Sequence, residues 1–313
     1  MERKRILVTG SNGMIGTRLC EQLLQKPHEY EVVGLDWKKN PWSPRVEALT
    51  RLVDLRDKDA TMAQVPESFD FVVHLAANAR VHDLVNDPSM ARDNQETTFN
   101  MLELARVRGI KKVIFASSRE VYGNTETFFH AEGDANHALC ESPYTASKLA
   151  GEAWVWAYHR CYGMDMLIFR FSNVYGMYDE SDRAIPFFIR KAQKNDPITV
   201  FGKEKLLDFT FLDDTVEGII AGIERFDQAK NRVINLATGH GSTILEVAQM
   251  ITAGLGSESS IQVQETRTGE VMKYVADITA ANILLGYTPK VTIEEGIKRS
   301  ILWYGQRPSS TSL

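Results

Sequence analysis

Arg5–Leu24 reads RILVTGSNGMIGTRLCEQLL. The apolar run Arg5–Val8 predicts a strand, and the amphipathic run Met14–Leu24 predicts a helix. Gly10, Gly13 and Gly16 fall across the junction. In a strand-to-helix turn, glycines have separate uses. One allows a tight turn, one lets backbone N–H groups approach a pyrophosphate, and one lets helix and strand pack closely. The same spacing also suits an ordinary turn that only needs glycine. The next segment, YEVVGLD, ends in Asp36, about 20 residues beyond the turn, where an acid holds the adenosine ribose hydroxyls. A carboxylate there repels a 2′-phosphate and favours NAD, while Lys38 and Lys39 keep NADP open. LVDLRD then offers Asp54 and Leu55 as adenine contacts.

The alternation continues along the chain. Strands are predicted at Tyr30–Leu35, Leu52–Val53, Phe69–Leu75, Lys112–Ala116 and Met166–Arg170. Helices are predicted at Ser89–Arg108 and Pro143–Cys161. Nearly all-apolar strands separated by helices predict a parallel sheet covered on both faces, hence a doubly wound α/β (Rossmann) sheet. After about Asn173 the alternation loosens. Helices at Ile185–Lys194, Asp214–Arg225 and Leu245–Ala253, with strands at Ile198–Phe201 and Phe209–Leu212, suggest a smaller substrate-binding lobe. The expected division is residues 1–173 mainly cofactor-binding and 174–306 mainly substrate-binding, interleaved with returning sheet elements. A flexible tail follows at 307–313.

Composition narrows the class. The 313 residues are 43% hydrophobic and 25% charged, with net charge −5. That balance is globular and gives no general attraction to nucleic acid or an anionic membrane. No apolar run has the length of a membrane span, and MERKRILV has no apolar leader segment. Cys20, Cys140 and Cys161 are too few for a disulfide framework, so a cytoplasmic setting is expected. His137 and Cys140 are only one close pair, so no metal site is expected. His74, in an apolar strand, reads as a core histidine.

The chemistry is carried by a helix start. Ser142 can cap a helix whose first residue is Pro143. Tyr144 and Lys148 then share one face. A phenol has a pKa near 10, and a nearby ammonium and an oxidised nicotinamide lower it. The pair suits a base that removes a hydroxyl proton while hydride leaves the same carbon. Ser118 follows the strand KVIFAS, at the strand end where doubly wound sheets bind ligands.

VTGSNGMIG, VVHLAA (Val72–Ala77), SSREVYG (Ser117–Gly123), SPYTASK (Ser142–Lys148) and RFSNVYG (Arg170–Gly176) occur in this order. DFTFLDD (Asp208–Asp214) and LGYTP (Leu285–Pro289) follow. The whole set resembles the extended short-chain dehydrogenase/reductases, and within them the nucleotide-sugar epimerase/dehydratase branch. The resemblance implies NAD on Gly10, Asn12, Gly13, Met14, Ile15 and Gly16, on Leu75, Ala76 and Ala77, and beside Tyr144 and Lys148. It implies Ser118, Tyr144 and Lys148 as the catalytic triad. It also implies Asn173 and Arg267 near the sugar diphosphate, a role for which a guanidinium fork is suited. The family's other arginine, before the Asp-Phe of DFTFLDD, is Leu207 here, and Lys203 or Lys205 is expected to replace its charge.

In the resembled 4,6-dehydratases an Asp–Glu pair stands where this chain has Arg119–Glu120. Glu120 is retained as a possible base. Arg119 cannot donate a proton to a leaving hydroxyl, because a guanidinium pKa lies above ~12. It either solvates the loop or meets a hexuronate carboxylate. The helices Ser89–Arg108 and Pro143–Cys161, with the aromatic segment Trp154–Tyr162, imply a homodimer. The reading that results is an NAD-dependent nucleotide-sugar 4-epimerase working through a 4-keto sugar, on a UDP-hexose or UDP-hexuronate. The alternatives are a 4,6-dehydratase, a hexuronate decarboxylase, or a non-catalytic NAD-binding scaffold.

Overall fold

The first predicted strand and helix form as Lys4–Thr9 and Met14–Leu24. In the computed structural model, which describes residues 3–306, they open a seven-stranded parallel sheet. Its order is Arg232–Leu236, Asp165–Phe171, Lys112–Ser118, Phe71–His74, Lys4–Thr9, Tyr30–Asp36 and Thr50–Leu52. The chain runs outward from Lys4–Thr9 on one side, then returns past it to build the other. The switch between Lys4–Thr9 and Phe71–His74 leaves a crevice at the carboxyl ends of these strands, where such sheets bind ligands. The tail expected to be flexible from Arg307 lies outside the described residues.

The period-two alternation of the strands sorts side chains to two helical layers. Ile6, Val8, Phe71 and Val73 pack with Leu19 and Leu23 of Met14–Leu24 and with Ile219 and Ile223 of Leu212–Glu224. Leu7, Val72 and Phe115 face the other way, onto Met101 and Leu104 of Ser89–Val107 and Val155 of Pro143–Tyr162. Each such aliphatic side chain contributes roughly 1.5–3 kcal/mol on full burial. The helix Pro143–Tyr162 starts as its sequence predicts: Ser142 Oγ accepts the Thr145 N–H at 3.2 Å. It stops at Gly163, whose φ is +63°.

A second sheet contains Gly241–Thr243, Leu206–Phe211, Lys273–Ala276 and Phe129–His130 in that order, with Asn173–Tyr175 beside Leu206–Phe211. Ile198–Phe201 pairs in parallel with Ile261–Gln264. Tyr274, Ile189, Val247 and Ile297 belong to the core of this part.

Several bounds differ from expectation. The strand expected at Leu52–Val53 is Thr50–Leu52, where Thr50 pairs with Gly34. The one expected at Phe209–Leu212 is Leu206–Phe211, and Leu212 already opens the next helix. The edge strand Arg232–Leu236 escapes a hydrophobic-pattern reading because Arg232 and Asn235 interrupt its apolar run. Asn235 is nonetheless fully buried. It accepts from the Tyr122 hydroxyl at 2.6 Å and donates to the carbonyls of His130 and Asp277.

Candidate active site

The glycine turn is built as tightly as it can be. Gly10 has φ +69°, and a Cβ there would lie 2.9 Å from the Ala76 nitrogen. A Cβ on Gly16 would lie 2.0 Å from the Gly10 oxygen. The helix Met14–Leu24 begins at Gly13 with no side-chain cap and no acid in its first turn. Its leading N–H groups therefore take no side-chain cap. Gly10, Gly13, Met14, Ile15 and Gly16 line the main cleft. A bare, positive helix start facing a cleft fits the pyrophosphate of a dinucleotide.

The other predicted cofactor residues are placed around this turn. Leu75 and Ala77 line the cleft, whereas Asn12, Asp36, Asp54, Leu55 and Ala76 are outside its lining. The Asp36 carboxylate accepts the N–H groups of Asn12 and Lys38, each at 3.0 Å. Burial pushes its carboxyl up, against these backbone donors. Asp54 is held by Arg56 at 2.6 Å, which keeps its carboxyl low. Leu55 is buried, and its carbonyl accepts from Asn100. The Ala76 N–H donates to Thr9 Oγ1 at 3.3 Å. His74 bonds Thr9 and Thr98, and burial lowers its pKa to about 3. It stays neutral at ordinary pH.

The cleft has a volume of about 690 Å³ and brings Ser118, Tyr144 and Lys148 together with the glycine turn. Ser118 ends its strand, accepts the Glu120 N–H at 3.2 Å and hydrogen-bonds Tyr144. Burial pushes the Tyr144 phenol up; Ser118, Arg183 and Arg119 oppose that rise. Lys148 is buried and donates to the Ala116 carbonyl at 2.8 Å. Burial brings its pKa down to about 8, and Glu152, one helical turn later, resists that fall. Glu152 is itself fixed. It binds Arg170 through both oxygens, at 2.9 and 2.7 Å, and accepts from Ser117 Oγ at 2.5 Å. Arg170 also donates to the Tyr122 hydroxyl and the Glu132 carbonyl.

The same cleft is lined by Arg119, Glu120, Asn173, Lys205, Arg267 and Glu270. Arg119 is 6% exposed, which excludes the solvated-loop reading. It binds Glu120 at 2.7 Å and Asn173 Oδ1 at 3.2 Å. Lys205 binds Glu270 at 2.8 Å. Lys203 instead sits in solvent, 3.9 Å from Glu204. Leu207 is buried and apolar at the position where the resembled family carries arginine. The Arg267 guanidinium lies 3.9 Å from the centre of the Phe201 ring, a cation–π contact at the cleft.

Sequence reasoning missed Glu270, Arg183, Glu152 and Arg170. Glu270 stands three residues after Arg267 in RTGE, a local signal. The Glu152–Arg170 pair has none, because a helix and a strand bring it together. The acids of DFTFLDD have local tasks. Asp208 accepts the N–H groups of Thr238 and Gly239, and Asp214 those of Lys290 and Val291. Among the described residues, no group of three His, Cys, Asp or Glu side chains is arranged to hold a metal ion.

Comparison with known proteins agrees with this geometry. The chain is 33% identical over 309 residues to a putative UDP-glucose 4-epimerase of Methanocaldococcus jannaschii, covering 95% of this chain and 97% of that one. It superposes on the UDP-glucose 4-epimerase of Thermus thermophilus, solved with NAD, with a TM-score of 0.85 at 27% identity, covering 96% and 99% of the two chains. The UDP-glucuronic acid 4-epimerase of Bacillus cereus, solved with UDP-glucuronic acid and NAD, gives 0.87 at 28% identity, with the same coverage. The profile of the NAD dependent epimerase/dehydratase family matches residues 6–237. A glycine turn without a cap, a Ser–Tyr–Lys group in the same cleft and this match together place the chain in the NAD dependent epimerase/dehydratase family.

Proposed function

We propose that the protein is an NAD-dependent nucleotide-sugar 4-epimerase. The observation that carries this reading is the meeting of Ser118, Tyr144 and Lys148 with the bare helix start at Gly13 in one cleft. The glycine turn would hold the dinucleotide's pyrophosphate, with Asp36 on the ribose and Asp54 and Leu55 toward adenine. NAD, when bound, supplies the acceptor that takes hydride from C4 of the sugar and later returns it.

The chain's own residues handle the proton. Tyr144 Oη, as phenolate, takes the C4 hydroxyl proton while the C4–H bond breaks and the carbonyl forms. Ser118 hydrogen-bonds the reacting oxygen, and the Lys148 charge favours the phenolate. The 4-keto sugar turns in the cleft. Tyr144 then returns the proton to oxygen as hydride reaches the other face of C4, so no net oxidation occurs. Asn173 and Arg267 would take the diphosphate, whereas the Lys205 charge is already met by Glu270. Water elimination needs an acid where Arg119 stands, and a guanidinium keeps its proton. Positioned proton transfer of this kind contributes ~100- to 10,000-fold.

The same reading assigns residues 1–173 mainly to the cofactor and 174–306 mainly to the sugar nucleotide. It makes the protein a homodimer through Ser89–Val107 and Pro143–Tyr162, whose shared face carries Phe99 against the part-exposed Trp154. Three free cysteines suit a cytoplasmic setting. No helix among the described residues is long and apolar enough to cross a membrane. Incubating the NAD-loaded protein with a panel of nucleotide sugars tests the reading. A C4 epimer of unchanged mass supports it; loss of water or carbon dioxide replaces it with a dehydratase or a decarboxylase.

A further inference from the structure

Four charged side chains meet in the cleft: Arg119, Glu120 and Lys205, which are buried, and Glu270, which is half-buried. They form two ion pairs, Arg119–Glu120 at 2.7 Å and Lys205–Glu270 at 2.8 Å. Glu120 feels all three of the others. The group is therefore already neutral, two charges against two. Arg119 is fixed further by Asn173, which takes its Nε, and by the Tyr274 ring, 5.9 Å from its guanidinium carbon. Two buried atoms in this arrangement make no hydrogen bond: Arg119 Nη1 and Glu120 Oε2. The side chains that carry them are 7% and 6% exposed. Buried polar atoms are rarely left unmatched, and such exceptions mark a function or an occupant.

The two atoms ask for different things. Nη1 is a donor and needs an acceptor; Oε2 is an acceptor and needs a donor. We propose, resting on the epimerase reading, that these side chains face the C6 position of the sugar, select an uncharged group that both donates and accepts, a hydroxymethyl, and reject hexuronates. A hydroxyl gives its lone pair to Nη1 and its proton to Oε2. A carboxylate only accepts. It leaves Oε2 unmatched and adds a third negative charge beside Glu120 and Glu270, in a desolvated site where like charges are costly. Arg119 does not rescue it, because its charge is already balanced by Glu120. The Val271 backbone lies near the Glu120 carboxylate but makes no hydrogen bond to Oε2.

The test is binding and turnover by the NAD-loaded full chain with UDP-glucose, UDP-N-acetylglucosamine and UDP-glucuronate. Calorimetry reads affinity whether or not turnover occurs. UDP-glucose is expected to exceed UDP-glucuronate by at least ~100-fold in kcat/KM and in the same direction in Kd. UDP-N-acetylglucosamine carries the same hydroxymethyl group and should exceed UDP-glucuronate in the same way. Glu120→Gln replaces an acceptor with a donor and removes one negative charge, so it should narrow the ratio at least tenfold. Glu270→Gln removes a charge without touching the Arg119–Glu120 pair and should narrow it too, which keeps the test open if Glu120→Gln does not fold. Equal or better use of UDP-glucuronate by the wild type, or an unchanged ratio in the folded variants, overturns the inference and leaves the epimerase reading standing. Failure to bind any of the three sugars overturns the inference, and absence of C4 inversion across the whole nucleotide-sugar panel overturns the epimerase reading.

Discussion

Glu152→Gln separates two roles that one side chain combines. Glu152 and Arg170 form a buried bidentate pair, 9% and 6% exposed at their side chains. Breaking such a pair by neutralising one partner costs ~3–5 kcal/mol. Glutamine can keep a bond to Ser117 Oγ, so ~3 kcal/mol is the expected loss in urea unfolding. The second effect falls on Lys148. Burial lowers its pKa from 10.5 to about 8, and Glu152 is the charge that resists the fall. Without that charge the ammonium titrates lower still. The Tyr144 phenolate then loses its cation at lower pH, and the alkaline limb of kcat/KM moves down from about 8.

Stability moves in the opposite sense with pH. Between about 8 and 10.5 the unfolded chain holds a proton on this lysine that the folded chain lacks. The penalty of burying Lys148 is therefore complete below about 8 and is relieved as pH rises to 10.5. Denaturant curves and a pH–rate profile on the same preparation read both effects. Lost stability with an unmoved alkaline limb would show that the pair only braces the fold. An unchanged protein by both measures would refute the reasoning altogether.

Three further outcomes are expected. Tyr144→Phe should keep its fold and bound NAD while kcat drops ~100- to 10,000-fold; a rate near wild type, measured with NAD content matched, removes Tyr144 from the chemistry. Protein purified without added cofactor should release NAD rather than NADP on denaturation, because the Asp36 carboxylate ends the second strand; chromatography showing mostly NADP reverses the assignment. Trp154→Glu should convert a dimer to a monomer by light scattering at micromolar concentration, since Trp154 is 39% exposed on the face shared with Phe99; a wild-type monomer contradicts the dimer.

The parts of the molecule that were legible in the sequence are those set by neighbours in the chain. Gly10 is required by its positive φ and Gly16 by contacts inside the same turn, and Met14–Leu24 follows from its own periodicity. Tyr144 and Lys148 share a face because Ser142 and Pro143 start their helix. The parts that were not legible depend on distant partners. Arg232–Leu236 joins the sheet by pairing with Asp165–Phe171, and the polar side chain of Asn235 within it is satisfied by distant His130 and Asp277. Lys205 and Glu270 are 65 residues apart, and Glu152 and Arg170 are 18 apart. Arg119 was readable as a departure from the resembled dehydratases, but its burial against Glu120 and Asn173 is a tertiary fact.

The proton NMR spectrum of a nucleotide hexose incubated with the NAD-loaded protein in deuterated water tests whether hydride leaves and returns at one carbon. The C4 proton should pass between its equatorial and axial coupling patterns, with no deuterium at C4 or C5 and no change in mass. Deuterium at C5, or a product lighter by one water, would contradict 4-epimerisation and point to Glu120 acting as a carbon base.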